Sequence, residues 1–170
     1  AIALAAVPAT ALDLSKATIV LQDTSPVAGT AATVLTEEVQ RRTGIQLPVV
    51  KEVPDASATA IYLTSTIRTT GKVQAFHDST IPGWEIPPAV HGAYTIASGE
   101  KSVIIDGFDG PGVLYGVGKL LRSLDWGPGT LTLPKPLNLT TAPDDSIRGH
   151  QLGYRTTANS YDAWSPAQYD

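Results

Sequence analysis

Residues 92–124, GAYTIASGEKSVIIDGFDGPGVLYGVGKLLRSL, restrict the fold more than any other stretch of this 170-residue chain. Two short runs rich in apolar and β-branched residues, 92–98 and 101–107, flank Gly99–Glu100. That pattern predicts a β-hairpin. A helix must follow at once: Asp109 stands at the cap position and Pro111 falls in the first turn. Val113, Val117, Leu120, Leu121 and Leu124 then make one apolar stripe. Gly116 and Gly118 interrupt this helix, each at a cost of about 1 kcal/mol relative to Ala. Close packing against a sheet is the usual compensation.

The rest of the chain repeats this grammar. Residues 16–22 read as a strand. Ser25 then caps a helix that has Pro26 in its first turn and Gly44 as its stop. Its apolar positions 28, 31, 35 and 39 keep helical spacing, while Glu37 and Glu38 belong on the solvated outer face beside Arg41 and Arg42. Two further strands, 45–53 and 59–65, flank a Pro-Asp turn. Residues 66–92 are polar, then proline-rich, and read as a long loop. Residues 130–146 read as a short strand and an extended proline-bearing linker. The order predicts an α/β (α+β) sandwich, a mixed β-sheet with two main helices, spanning residues 15–140. Residues 1–14 precede it as a leader remnant or tail, and 141–170 follow as a linker and the start of something else.

Composition excludes several functions. Charged residues are 16% of the chain and the net charge is −4, with basic residues scattered, so no nucleic-acid footprint is visible. No apolar stretch approaches the roughly 20 residues of a membrane span. The absence of cysteine removes disulfides, thiolate nucleophiles and cysteine-ligated zinc. The opening AIALAAVPATA is small and apolar and ends in an A-x-A pattern, as a signal-peptidase site does. An Ala-rich tail or edge strand has the same composition. The leader reading implies a secreted or periplasmic protein.

Familiar chemical motifs fail on inspection. GVLYGVGK at 112–119 has five residues between Gly112 and Gly118 and no Ser or Thr after Lys119, so it is not a phosphate loop. DGFDG at 106–110 carries only two carboxylates and reads as a strand-to-helix turn with an Asp cap rather than a calcium loop. His77, His91 and His150 lack ligand-like spacing, and no G-x-S-x-G elbow occurs. No metal, cofactor or catalytic constellation is implied within 15–140.

The order Tyr-bearing strand, apolar strand, G-x-x-Y-G turn and amphipathic helix resembles the small N-terminal domain of family-20-type β-hexosaminidases and related α-glucuronidases. Tyr94, Gly112, Tyr115, Gly116 and Leu120 stand at the matching places. In that family the motif R-G-x-x-L-D-x-x-R, the first strand of a (β/α)8 catalytic barrel, comes next. Here DDSIRGHQLGYR occupies its place: Arg148, Gly149 and Leu152 match, Gly153 replaces the Asp, and Arg155 falls one residue short of the second Arg.

The resemblance implies that Arg148 binds sugar hydroxyls, although a salt bridge at the domain junction would use the same residue. Tyr161 and Trp164, just beyond, offer faces for stacking on a sugar or for packing against a barrel helix. The expected partners are the catalytic barrel, in the same polypeptide or a companion chain, and a glycan substrate, with no nucleic acid and no membrane. No acidic pair accompanies Arg148, so the acid and base lie outside this chain, which alone is expected to be inactive. A free-standing carbohydrate- or protein-binding module, with the aromatics of 81–94 as its platform, and a purely structural domain are the competing readings.

Overall fold

The computed structural model describes residues 11–52, 57–66, 81 and 84–145. Its elements are β1 (Leu12–Asp13), β2 (Thr18–Leu21), α1 (Pro26–Thr43), β3 (Val49–Val50), β4 (Ala60–Ser65), β5 (Tyr94–Ser98), β6 (Ser102–Gly107), α2 (Gly110–Leu121), β7 (Asp125–Gly127), β8 (Thr130–Leu133) and β9 (Asn138–Thr141). Six strands form one mixed sheet in the order β3-β2-β4-β6-β5-β9, and three form a small antiparallel sheet in the order β1-β8-β7. The expected class holds: two helices and a mixed sheet make an α+β fold.

Strand alternation places the core. Ile19, Ile61 and Val103 lie in register, as do Leu63, Ile105 and Ile96. These residues share one apolar cluster with Ala28, Leu35 and Val39 of α1 and Val113, Val117 and Leu120 of α2. The alternate residues Val20, Ile104, Ala97 and Thr95 are also buried. Strands buried on both faces explain why VII at 103–105 runs without a polar break.

Both helices begin and end as their sequences demand. The Ser25 hydroxyl accepts from Ala28 N at 3.2 Å, and Asp23 Oδ1 holds Ser25 N at 2.7 Å. Gly44 closes α1 with φ 77°, a left-handed conformation suited to glycine. Glu38 is not simply solvated: it binds both Arg41 and Arg42 at 2.8 Å. The Arg42 guanidinium also lies 4.7 Å from the Trp126 ring centre, which ties β7 to the end of α1.

Three local expectations shift. The hairpin turn bond runs from Gly99 N to Ser102 O at 2.8 Å, so Glu100 and Lys101 occupy the turn, one residue later than expected. Among the described residues of the strand expected over 45–53, only Val49–Val50 form strand, at the sheet edge; Pro48 accepts from Ile19 N at 2.8 Å but has no N–H to give. The segment read as a linker contains β9, which pairs antiparallel with β5. Leu137 N donates to Ser98 Oγ at 2.8 Å and the Thr95 and Thr140 hydroxyls meet at 3.0 Å. Leu12–Asp13, within the stretch expected to be a tail, pair with β8, and Leu14 is fully buried.

The seat of α2 is the tightest contact in the fold. A Cβ on Gly112 would lie 2.2 Å from Ala93 O, and one on Gly116 would lie 2.4 Å from Ile105 Cγ2. Helix propensity favours Ala at both positions, but the sheet leaves no room. Gly112→Ala is therefore expected to destabilise the chain by about 1–3 kcal/mol, the usual cost of overpacking. Urea unfolding would show a lower midpoint with an unchanged slope. An unchanged or higher midpoint would contradict this packing.

Candidate functional site

Polar chemistry gathers at two places around β5, β6 and α2. The first begins at Asp109, the N-cap of α2. Its carboxylate accepts from Gly112 N at 2.9 Å and from Gly92 N at 3.1 Å, and it meets His91 Nδ1 at 2.5 Å. Phe108 N donates to Ala93 O at 2.8 Å. The loop before β5 is thus clamped to the start of α2, and Gly92 takes φ 78° to make the bend.

Below this clamp lies a cleft of about 360 Å³ between β5, α2 and the segment after β9. Tyr94, Tyr115, Gly118, Arg122 and Pro143 line it. Tyr94 is buried and Tyr115 is 42% exposed. Burial pushes the Tyr94 phenol above its usual value, and the positive charge of Arg122 partly offsets this. Tyr94 is therefore a neutral hydroxyl at physiological pH. At Arg122, just past the end of α2, the backbone N–H donates to Leu120 O, while the guanidinium has no hydrogen bond or ion pair among the described residues. The arrangement can bind an anion and a polar ring.

The second place is Asp106 on β6. It lies in register with Thr64 on β4 and Thr95 on β5, and Thr95 reaches Thr140, so a polar row crosses the sheet. Asp106 is fully buried. Its Oδ1 is 3.4 Å from the Thr66 hydroxyl, and its Oδ2 has no hydrogen-bond partner. Burial pushes its pKa up to about 7, with the Thr66 hydroxyl acting weakly the other way.

Among the residues matched to the family pattern, Tyr94 and Tyr115 meet in the cleft, Gly112 and Gly116 seat the helix, and Leu120 enters the core. The expected site residues Arg148, Tyr161 and Trp164 lie outside the described residues, as does the expected barrel strand. Trp84 of the proposed 81–94 platform is half-buried, while Ile86 and Val90 are exposed. The sequence reading missed Arg122 and Asp106. Gly118 was the available signal for Arg122: a glycine one turn before an arginine, on the helix face away from the apolar stripe. For Asp106 the signal was a carboxylate directly after the apolar run Val103–Ile105 of a strand.

No family model matches the chain and no curated protein matches it. Solved structures do. The chain is similar to a GH20 exo-β-N-acetylglucosaminidase from Vibrio harveyi, solved with N-acetylglucosamine, at 19% identity and TM-score 0.53, over 88% of this chain and 18% of that one. It is similar to a GH20 β-N-acetylhexosaminidase from Streptomyces coelicolor at 18% identity and TM-score 0.52, over 76% of this chain and 23% of that one. A GH84 structure matches at 16% identity and TM-score 0.53, over 84% of this chain and 22% of that one. The fold is thus one found within glycoside hydrolase chains, and this chain spans about a fifth of their length.

Asp106 makes stability depend on pH. The folded chain favours the neutral acid, so this stabilisation is complete below the unfolded value near 3.8 and is lost as pH rises through about 7. Between pH 5 and 8 the melting temperature should fall, with a slope approaching about 1.4 kcal/mol per pH unit at most. Asp106→Asn, which keeps the neutral shape, should flatten that profile and melt higher at pH 8. Parallel profiles for the two proteins would show that Asp106 does not control the slope.

Proposed function

We propose that this chain is the N-terminal, non-catalytic portion of an exported glycoside hydrolase acting on glycans, with the catalytic acid and base outside it. The observation that carries the reading is the fold match: most of this chain superposes on about a fifth of each of two GH20 enzymes. The sequence adds DDSIRGHQLGYR directly after the described fold, with Arg148, Gly149 and Leu152 at family positions.

The carboxylates whose partners are defined also support it. Glycoside hydrolysis needs two acidic groups, or one plus a substrate amide, about the scissile bond. Here Asp23 and Asp109 cap helices, Glu38 binds two arginines, and Asp106 is sealed in the sheet. None of these faces the cleft with a second acid. In this reading Arg148 grips sugar hydroxyls with a planar donor fork, and Tyr161 and Trp164 stack on the ring. The A-x-A pattern in residues 1–11 supports export.

The test compares this chain with the complete polypeptide encoded by its reading frame, on a panel of aryl glycosides. The 170-residue chain should be inert and the complete polypeptide active. Turnover by the short chain, abolished by changing one of its own acids, would refute the non-catalytic assignment. In the active protein, Arg148→Ala should lower kcat/KM by about tenfold to a few hundredfold, from loss of charge-assisted hydrogen bonds of roughly 1.5–3 kcal/mol each. Its melting temperature should barely move. Full activity with a much lower melting temperature would make Arg148 a junction salt bridge instead.

A further inference from the structure

Gly118 and Arg122 together pose a question that the core does not answer. Gly116 is explained by the sheet beneath it, where Ile105 and Tyr94 leave no space for a side chain. Among the described residues, a Cβ on Gly118 would meet only the Arg122 guanidinium, with Nη1 at 3.3 Å and Nη2 at 4.0 Å, and neither strand. A glycine in a helix interior is destabilising, so packing gives no reason for it. What it does is let the guanidinium lie back along the helix, over the preceding turn and at the cleft.

That guanidinium is unusual in its company. Among the described residues, no carboxylate pairs with the Arg122 guanidinium, whereas Arg41 and Arg42 both bind Glu38. A position just past the helix end suits any cation through the helix dipole, but a lysine would serve that purpose equally. Arginine differs in offering a planar, two-pronged donor that fits a carboxylate. Beside it stand the neutral Tyr94 phenol, the half-exposed Tyr115 ring, and the apolar surfaces of Leu114 and Pro143. The volume of about 360 Å³ is at the small end of ligand sites, enough for one sugar ring.

We propose that the cleft between β5, α2 and residues 141–143 binds a carboxylate-bearing sugar, its carboxylate held by Arg122 and its ring set against Tyr115. The carboxylate half of this assignment comes from Arg122 and Gly118. The sugar half rests on the glycan-acting reading above. Binding in this cleft requires no catalysis.

The test is 1H–15N NMR titration of the 170-residue chain with glucuronate and galacturonate, using glucose and acetate as controls. Either uronate should give saturable shifts at Gly92, Tyr115, Gly118 and Thr141, with glucose and acetate at least about tenfold weaker, as expected when a charged hydrogen bond or the ring contact is missing. Arg122→Gln should weaken uronate binding by about tenfold or more, and Arg122→Lys should not restore it. Gly118→Ala separates a binding role from a structural one: it should raise the melting temperature while weakening the uronate several-fold. Unsaturable or scattered shifts, equal binding of acetate and uronate, or an Arg122→Gln chain that binds unchanged would each overturn the proposal. Hydrolysis by the complete polypeptide is a separate readout, so loss of this site and loss of the hydrolase reading are distinguishable.

Discussion

Everything near the cleft depends on how closely α2 lies on the β5–β6 hairpin. Gly107, Gly112 and Gly116 remove the side chains that would keep the two apart, and a Cβ at any of them would fall within 2.4 Å of a neighbour. Asp109 fixes the approach angle, because one carboxylate satisfies the helix N-terminus at Gly112 and the bend at Gly92 together. With the start of the helix held there and Gly116 resting on Ile105, Tyr94 and Tyr115 reach the same cleft. One wall of the cleft is thus a by-product of core packing.

Scarcity of charge shapes the remainder. Where a carboxylate is buried it has an assigned task, as Asp23 holds the N–H of the Ser25 cap. Asp106 differs: like Asp23 it leaves its second oxygen without a partner, but its first oxygen has only the Thr66 hydroxyl at 3.4 Å, and burial outweighs that contact in setting its protonation. A neutral acid can be kept in an apolar sheet; an anion with one unpaired oxygen is far more costly there. The hydroxyls of Thr95 and Thr140 pair with each other across β5 and β9.

The sequence made local rules legible and left non-local pairing obscure. Ser25, Pro26 and Gly44 bracket α1 because caps act within a few residues, and Asp109 with Pro111 starts α2 for the same reason. β9 escaped because Asn138–Thr141 is short and polar, and its partner β5 lies 40 residues earlier. β1 escaped because two residues carry no periodicity; Leu12 and Asp13 are strand only because Leu133 and Thr132 receive them. The hairpin slipped by one residue because Gly99 looks like a turn residue, yet its bond to Ser102 closes the strands before the turn. Arg122 was hidden for a further reason: nothing in one dimension distinguishes an arginine that ends a helix from one that faces a cleft.

Three glycines of α2, at 112, 116 and 118, show how one element can serve two ends. Positions 112 and 116 are four apart and face the sheet, so their missing side chains contribute to stability through contact. Gly118 lies on another face, where contact with the sheet is absent and the missing side chain benefits only Arg122. A helix selected for stability alone would keep the first two and replace the third, since Ala there adds propensity and meets only a flexible side-chain end. Retaining glycine at 118 sets stability against the position of one guanidinium. That opposition is what the proposed carboxylate contact rests on, and this half of the proposal does not depend on any likeness to glycoside hydrolases.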